Sequence, residues 1–249
     1  MLTFGSLFSG YGGLDLGLER AGLKCSWQVE IDEHARRILT KHWPTVPKFA
    51  DVKECGKRNL KTVDLLCGGF PCQDISDAGL RVGIEGQRSG LWSEYKRIIC
   101  ELRPRFVLVE NVSALLVQGI DRVLGDLAES GYDAEWQTIP AAAFGAYHIR
   151  NRLFILAYAR SYGLDLPQIL HALPYQNGHT SKVEALTSRL LVGDGERLLS
   201  ECPTDRLANG FPSVMDDLKG LGNAVYPNIG EWIGKSVITY LDRIKELAA

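Results

Sequence analysis

Apolar positions in the first 160 residues form short runs that alternate with segments of helical spacing. Runs rich in branched and aromatic side chains predict strands over Leu2–Phe8, Cys25–Ile31, Val63–Cys67, Phe106–Glu110, Ala134–Ile139 and Arg152–Ala157. Apolar residues three or four apart predict helices over Leu14–Ala21, Glu33–His42, Leu91–Leu102 and Leu115–Ser130. This alternation predicts an α/β fold with a parallel, doubly wound sheet, in which ligands bind beyond the carboxyl ends of the strands.

Residues 160–205 do not continue this pattern. They contain scattered Pro, Gly and His residues and no clean hydrophobic period, which predicts a small irregular region rather than an independent domain. Order returns from Leu218, and a helix is predicted over Ile229–Leu247. We therefore expect a main domain over 1–158, an irregular region over 159–205 and a C-terminal segment over 206–249.

The composition excludes some kinds of nucleic-acid binder without excluding nucleic acid as a substrate. The 249 residues carry 28 Lys and Arg against 30 Asp and Glu, a formal net charge of −2 with a pI near 6.2. A cationic coat protein or a histone-like binder of polyanions would need a strong positive excess. A small basic cleft can still lie within a neutral total.

The six cysteines are scattered, with no CxxC pair and no histidine cluster at metal spacing. We therefore expect no metal site, no disulfide framework and a reduced intracellular setting. No secretory signal opens the chain, and the apolar run Leu153–Ala159 is too short to span a bilayer, so a soluble protein is expected. Cys25, Cys67 and Cys100 are predicted to be inert and buried. Cys72 follows a proline in a glycine-lined loop and is the candidate nucleophile.

A glycine-rich turn followed by two acidic positions predicts a site for an adenosine-bearing cofactor. The turn Phe8–Gly13 joins the first predicted strand to the first helix, where free backbone N–H groups can meet a ligand. Glu30 ends the second strand, in the place of an acceptor for ribose hydroxyls. Asp51, before Val52, could accept from an adenine amino group, although such a pair also occurs in plain turns. Because the GxGxxG spacing of a pyrophosphate site is missing, S-adenosylmethionine is favoured over NAD.

Further polar groups follow the later strands. Residues 73–90 contain four glycines and two arginines, a composition typical either of an ordinary surface loop or of a mobile basic flap over a substrate. Glu110 ends an apolar strand, where burial could raise its pKa and suit it to acid–base work. Arg150 and Arg152 alternate on a predicted strand, and their shared face points either to solvent or to a phosphate or base carbonyl.

Taken in order, these motifs resemble the C5-cytosine-specific DNA methyltransferase family in its compact bacterial or phage form. The matching segments are the FxGxGG turn, the strand-end Glu30, Pro71-Cys72-Gln73, Glu110-Asn111-Val112, the RxR pair and Gly222-Asn223-Ala224-Val225. The resemblance implies a Rossmann-like S-adenosylmethionine-dependent methyltransferase sheet over 1–158. It also implies a short target-recognition region over 159–205 and a C-terminal helix that returns to the first domain.

The resemblance implies roles for individual residues as well. Cys72 would add to C6 of a cytosine flipped out of duplex DNA, Glu110 would protonate or hydrogen-bond N3, and C5 would then accept the methyl group. Arg150 and Arg152 would hold the base carbonyl and a nearby phosphate, and Trp92 would help Leu91 to wall the cofactor. The residues implied at the cofactor are Phe8, Ser9, Gly10, Gly12, Gly13, Leu14, Glu30, Ile31, Asp51, Val52, Gly68, Leu91, Asn223, Ala224 and Val225. Those implied at DNA are Gln73, Ser76, Arg81, Arg88, Arg150 and Arg152.

Double-stranded DNA is the expected partner, with a short target because the recognition region is small. We expect a monomer on DNA in the cytoplasm of a bacterial or phage-infected cell, which a companion restriction endonuclease could accompany. Two alternatives stay open: a tRNA cytosine-C5 methyltransferase on the same framework, and a regulator that flips cytosine without methylating it. A comparison of labelled methyl transfer to duplex DNA and to tRNA distinguishes the tRNA methyltransferase from the DNA methyltransferase. Trapping of a covalent adduct on 5-fluorocytosine DNA that is lost in Cys72→Ala distinguishes the methyltransferase from the regulator.

Overall fold

The computed structural model describes residues 1–71, 90–146, 150–163, 169–170 and 225–247. Its strands are β1 (Thr3–Leu7), β2 (Lys24–Val29), β3 (Lys48–Phe49), β4 (Leu65–Gly68), β5 (Phe106–Val112), β6 (Tyr132–Pro140) and β7 (Asn151–Ala159). They form one seven-stranded sheet in the order β3-β2-β1-β4-β5-β7-β6. The predicted α/β fold class is confirmed, since helices connect the parallel strands of this sheet.

The helices of the described ranges are α1 (Gly13–Arg20), α2 (Glu33–His42), α3 (Gly90–Leu102), α4 (Leu115–Gln118), α5 (Ile120–Glu129) and α6 (Pro227–Leu247). Short 3₁₀ turns lie at Val52–Glu54, Ala141–Phe144 and Arg160–Tyr162. The single helix predicted over Leu115–Ser130 is wrong, because the chain breaks at Gly119 into α4 and α5. None of these helices is both long and apolar enough to cross a membrane.

The last two strands run against the others. β1 to β5 pair in parallel, whereas β7 is antiparallel to both β5 and β6. The prediction of a wholly parallel sheet is therefore wrong at this end. The connection from β6 to β7 spans only residues 141–150, and a parallel crossover needs a dozen residues or more. As a result, the start of β7 lies at the sheet edge where β5 ends, with Arg152 opposite Val112.

Two hydrophobic cores lie on the two faces of the sheet. Successive residues of β5 alternate between them: Val107 and Val109 face the core that α3 and α5 cover, and Phe106 and Leu108 face the other. Helices α1, α2 and α6 contribute to this second core. The sheet is thus buried on both sides, and its carboxyl edge is left for ligands.

Helices α1 and α6 meet backbone to backbone. A Cβ atom on Gly13 would lie 2.2 Å from the Val225 carbonyl oxygen, and one on Gly17 would lie 2.2 Å from the Pro227 carbonyl oxygen. On the α6 side, a Cβ on Gly234 would lie 2.6 Å from the Ala21 Cβ. This close contact brings the chain just before α6 against the glycine-rich turn.

The predictions for the structural cysteines are confirmed at two of three positions. Cys25 and Cys67 are buried in the sheet, and burial raises the pKa of both thiols. Cys100 is exposed, so its predicted burial is wrong. The buried side chains of α3 are Trp92, Tyr95, Ile98, Ile99 and Leu102, which leaves Cys100 on the opposite side of the helix.

Candidate functional site

Two neighbouring clefts open at the carboxyl ends of β1, β2, β4 and β5. The first has a volume of about 390 Å³ and the second about 530 Å³. Phe8, Glu30, Gly69 and Glu110 line both of them. This is the edge at which α/β sheets bind ligands, so the boundary between the clefts is the candidate site.

The glycine-rich turn of the first cleft requires left-handed backbone at three positions. Phe8 has φ 54°, Gly10 has φ 54° and Gly12 has φ 77°. Gly12 also packs on Trp43, since a Cβ there would lie 2.6 Å from the indole ring. Phe8 adopts a conformation that costs an ordinary side chain about 1–3 kcal/mol, and such strain concentrates at functional sites. The turn thereby presents its backbone and the start of α1 to the cleft.

Glu30 is held in place by backbone donors. Its Oε2 accepts from the Gly10 N–H at 2.7 Å, and its Oε1 accepts from the Asp32 N–H at 2.9 Å. Asp32 in turn caps α2 by accepting from the Ala35 N–H. The carboxylate is therefore oriented between the glycine-rich turn and α2, with lone pairs left for a ligand in either cleft.

The residues predicted at the cofactor divide between the two clefts. Those that line the first are Phe8, Ser9, Gly10, Gly13, Leu14, Glu30, Gly68 and Val225. Those that line the second are Phe8, Glu30, Ile31, Asp51, Val52 and Leu91. Gly12 lines neither cleft and packs against Trp43 on the other side of the turn. Asn223 and Ala224 lie outside the described residues.

The second cleft has apolar walls and three carboxylates, those of Glu30, Asp51 and Glu110. Ile31, Val52, Phe70 and Leu91 supply the apolar surface, and Ile31 is 73% exposed at the surface. Asp51 caps the 3₁₀ turn by accepting from the Lys53 N–H at 2.9 Å. Apolar walls with a few placed polar groups suit a flat heterocyclic ring that carries an amino group.

Trp92 is not part of these walls. It is 1% exposed, its Nε1–H donates to Asp126 at 2.7 Å, and its ring centroid lies 5.3 Å from that of Phe70. The expectation that Trp92 walls the cofactor is therefore wrong. As a core residue it supports Phe70, which does line the second cleft.

Glu110 and Arg152 form an ion pair on the boundary of the clefts. Arg152 Nε lies 2.8 Å from Glu110 Oε1, and the side chains are only 19% and 12% exposed. Burial raises the pKa of Glu110, against the opposing effect of the Arg152 and Arg150 charges. A carboxyl group with a raised pKa holds its proton more readily than an ordinary carboxyl group, which is the property a general acid needs.

Arg150 lies nearby without lining either cleft. It precedes β7, which begins at Asn151, so the prediction that both arginines sit on the strand is wrong for Arg150. Its Nε and Nη2 atoms are buried and have no hydrogen-bond partner among the described residues. Burial lowers the pKa of Arg150, as does the neighbouring charge of Arg152.

Several predicted residues lie outside the described ranges: Cys72, Gln73, Ser76, Arg81 and Arg88. The chain immediately before them is described. Pro71 lines the second cleft, and the Phe70 carbonyl accepts from the buried Asn111 side chain at 3.2 Å. The backbone that enters Cys72 is thus fixed beside the end of β5.

The sequence reasoning missed a buried carboxylate beneath the first cleft. Asp15 is fully buried and accepts from Ser6 Oγ at 2.7 Å and from Gln28 Nε2 at 2.6 Å. Ser6 Oγ also lies 2.9 Å from Ser9 Oγ in the glycine-rich turn. Burial raises the pKa of Asp15 to about 6. Its place beside Leu14, on the apolar side of the first predicted helix, is the signal that could have found it.

Comparison with known proteins adds an independent line of evidence. A family model described as C-5 cytosine-specific DNA methylase matches residues 2–202. The Type II methyltransferase M2.BsuMI of Bacillus subtilis is 38% identical over 160 residues, which is 61% of this chain and 41% of that protein.

Solved structures agree with this match. A prophage-encoded E. coli protein described as a DNA modification methyltransferase is 31% identical with a TM-score of 0.57, over 68% of this chain and 49% of that one. The S. pombe Dnmt2 methyltransferase is 20% identical with a TM-score of 0.57, over 70% of this chain and 56% of that one, and shows the fold alone. This chain spans less than half the length of M2.BsuMI and of the E. coli protein. From the matched residues and the shared fold, it belongs to the C-5 cytosine-specific DNA methylase family.

Proposed function

We propose that this chain transfers a methyl group from S-adenosylmethionine to C5 of a cytosine flipped out of DNA, through a covalent bond between Cys72 and C6. The observation that carries the proposal is the buried Glu110–Arg152 ion pair at the boundary of two clefts, in a chain of this family. A carboxyl group with a raised pKa next to a guanidinium group matches the ring nitrogen and carbonyl of cytosine.

The residues of the clefts fit S-adenosylmethionine. The apolar walls of the second cleft suit an adenine ring, and the Asp51 carboxylate suits its amino group. Glu30 lies on the boundary between the clefts, where it can accept hydrogen bonds from ribose hydroxyls. The glycine-rich turn lines the first cleft, in which the methionine part of the cofactor would bind. A Cβ on Gly68 would lie 2.1 Å from the Leu7 carbonyl oxygen, so only glycine fits there. When bound, the cofactor supplies an electrophilic methyl group.

The protein's own residues would make cytosine C5 reactive. The Cys72 thiolate adds to C6, which breaks the π bond between C5 and C6 and makes its electron pair available at C5, while Glu110 supplies a proton or hydrogen bond at N3. Arg152 orients Glu110 and holds the base carbonyl, with Arg150 close by. After C5 has gained the methyl group, solvent water would take the C5 proton, Cys72 would leave C6 as a thiolate, and N3 would return its proton to Glu110, which restores the ring.

The position of Pro71 supports the role proposed for Cys72. Pro71 lines the second cleft together with Glu110, and the next residue in the chain is Cys72. Phe70, one residue earlier, is held to Asn111 by a hydrogen bond. A nucleophile that follows this anchored segment enters the structure next to the proposed acid.

Duplex DNA is the proposed partner, bound by a monomer in the cytoplasm of a bacterial or phage-infected cell, with a companion restriction endonuclease. The Type II name of M2.BsuMI supports a restriction–modification setting. Light scattering of the chain with a short duplex tests the stoichiometry. A mass that corresponds to two chains per duplex would contradict the monomer.

The deciding experiment offers the 249-residue chain S-adenosylmethionine with a labelled methyl group, with duplex DNA or tRNA as acceptor. We expect label at cytosine C5 in DNA, and a loss of at least about 1,000-fold in Cys72→Ser because the nucleophile is removed. Cys100→Ser is the matched control, since Cys100 is exposed and lines neither cleft. Label in tRNA alone would favour the RNA enzyme. Adduct formation on 5-fluorocytosine DNA without turnover on ordinary DNA would favour a silent regulator.

A further inference from the structure

Arg97 on α3 reaches across to the loop that follows β3. Its Nη2 donates to the carbonyl oxygens of Val52 at 3.1 Å and Cys55 at 2.8 Å. Its Nε and Nη1 donate to Glu94 at 2.8 Å and Glu101 at 2.7 Å, both on α3. One guanidinium group therefore joins a helix to two carbonyl groups of a loop, with its charge balanced by two carboxylates of that helix.

Glu101 completes the attachment from the same helix. Its Oε2 accepts from the Lys57 N–H at 2.8 Å, and this hydrogen bond and the Arg97 charge lower the pKa of Glu101. A Cβ on Gly56 would lie 2.4 Å from that Oε2 atom, so the loop lies directly on the ion pair. The backbone of residues 52–57 is thus held at three points by Arg97 and Glu101.

This loop and α3 supply two walls of the second cleft. Asp51 and Val52 line it from the loop, and Leu91 lines it from the first turn of α3. Arg97 itself does not line the cleft. Its contacts fix the position of Val52 relative to Leu91, which decides whether a flat ring fits between them.

We propose that Arg97 is a positioning residue that shapes the nucleoside-binding part of the second cleft by fastening residues 52–55 to α3. The inference rests on the proposed function, in which the adenosine part of S-adenosylmethionine occupies this cleft. Lysine cannot replace it, because an ammonium group cannot serve two carbonyl groups and two carboxylates in the planar arrangement of a guanidinium.

The test measures binding of S-adenosylmethionine by calorimetry, without any methyl transfer, in the wild-type chain, Arg97→Met and Arg97→Lys. We expect the Kd of Arg97→Met to rise about tenfold, as fits the loss of anchoring hydrogen bonds to a charged group. The Kd of Arg97→Lys should lie between the values of the wild-type chain and of Arg97→Met. In a separate methyl-transfer assay, saturating cofactor should restore kcat to within about twofold, since Arg97 does not touch the reacting atoms.

Lys96→Met is the matched control. Lys96 is the neighbour of Arg97 on α3 and also forms two ion pairs, but with Asp126 and Glu129 of α5 rather than with the loop. It should bind S-adenosylmethionine with a Kd within about twofold of the wild-type value, because its ion pairs join α3 to α5 and Lys96 does not line the second cleft. Hydrogen exchange at residues 52–57 should become faster in Arg97→Met and stay unchanged in Lys96→Met.

The outcomes separate this inference from the proposed function. A wild-type chain that does not bind S-adenosylmethionine would overturn both. A wild-type chain that binds, with Arg97→Met binding equally well, would overturn the positioning role alone. If Arg97→Met does not fold, Arg97→Lys decides the matter. A Kd and a rate of hydrogen exchange at residues 52–57 equal to those of the wild-type chain would then overturn the positioning role.

Discussion

A Cβ atom on Gly69 would lie 2.3 Å from Oε2 of Glu110, closer than real side chains come to such an atom. Gly69 immediately follows β4, and Glu110 lies on the neighbouring β5. The absence of a side chain at residue 69 is therefore what leaves room for the carboxyl group at the boundary of the clefts.

Gly69→Ala should displace Glu110 and slow methyl transfer on the order of 100-fold, the effect expected when a general acid is lost. The variant should be compared with Glu110→Gln and with the double variant, using single-turnover rates on duplex DNA. Because both changes act on the same carboxyl group, the second should add little to the first. Fully additive effects would show that Gly69 acts elsewhere.

Arg152→Met should change the pH dependence of the reaction. Glu110 must carry a proton to assist at N3, so the rate should fall as pH rises through the raised pKa of Glu110. Arg152 lowers that pKa, and its removal should move the alkaline limb to higher pH, in addition to slowing the reaction. The measurement is the single-turnover rate across the pH range, with Glu110→Gln as a control that lacks this limb. A limb at the same pH in Arg152→Met would contradict the assignment.

Asp15→Asn should stabilise the protein at neutral pH by about 1–2 kcal/mol, since it removes a buried charge. The pKa of Asp15 is raised from 3.8 to about 6 in the folded state, so the folded protein binds this proton more tightly than the unfolded chain. Asp15 therefore favours folding at low pH, and stability is lost as pH rises from about 3.8 to about 6. The new amide can donate to Gln28 Oε1, which has no partner among the described residues, after rotation of the Gln28 side chain.

This prediction is checked by measuring the free energy of unfolding of the wild-type chain and of Asp15→Asn in urea at about pH 4 and about pH 7. The carboxyl groups that titrate elsewhere cancel in the difference between the two proteins. The titratable groups that interact with Asp15 are Glu19 and the thiols of Cys25 and Cys67, none of which is cationic. A stability difference that does not change with pH would rule out the raised pKa.

Gly17→Ala should destabilise the protein by about 1–3 kcal/mol, because the new methyl group would collide with the Pro227 carbonyl oxygen. The same change should weaken binding of S-adenosylmethionine, since Val225, just before α6, lines the first cleft. Gly125→Ala in α5 is the matched control. Apart from the backbone of its own helix and its chain neighbours, no atom of the described residues lies within 4 Å of the position of its Cβ, and alanine should stabilise that helix by about 0.5–1 kcal/mol. Urea unfolding and calorimetry measure the two effects. Equal stability of both variants would contradict the close α1–α6 contact.

The parts of the fold that the sequence predicts well depend on local signals. Helix α2 has the predicted bounds Glu33–His42, because Asp32 caps it and Ala35 and Leu39 form its buried side. The placement of Glu30 and Glu110 at one edge of the sheet follows from the apolar runs that they end, because the carboxyl ends of parallel strands share one edge.

The parts that the sequence did not predict depend on contacts between distant residues. Asp15 lies on the apolar side of its helix, but the sequence does not show that Ser6 and Gln28 donate to it. Arg97 resembles a solvent-exposed helix charge, and only the folded chain brings it to Val52 and Cys55. The direction of β7 is likewise set by the length of one connection, which hydrophobic periodicity does not report.

Because β7 is antiparallel to β5, the ion pair between Glu110 and Arg152 depends on the register of these two strands. Arg152 opposes Val112 and shares a sheet face with Glu110, although it stands at the start of its strand. A slip of one residue between β5 and β7 would exchange the two faces of β7 and turn Arg152 away from Glu110. The same slip would exchange the side chains that β7 places in the two hydrophobic cores, so the packing of both cores maintains the register of the pair. Insertions and deletions should accordingly be tolerated on either side of this strand and excluded from within it.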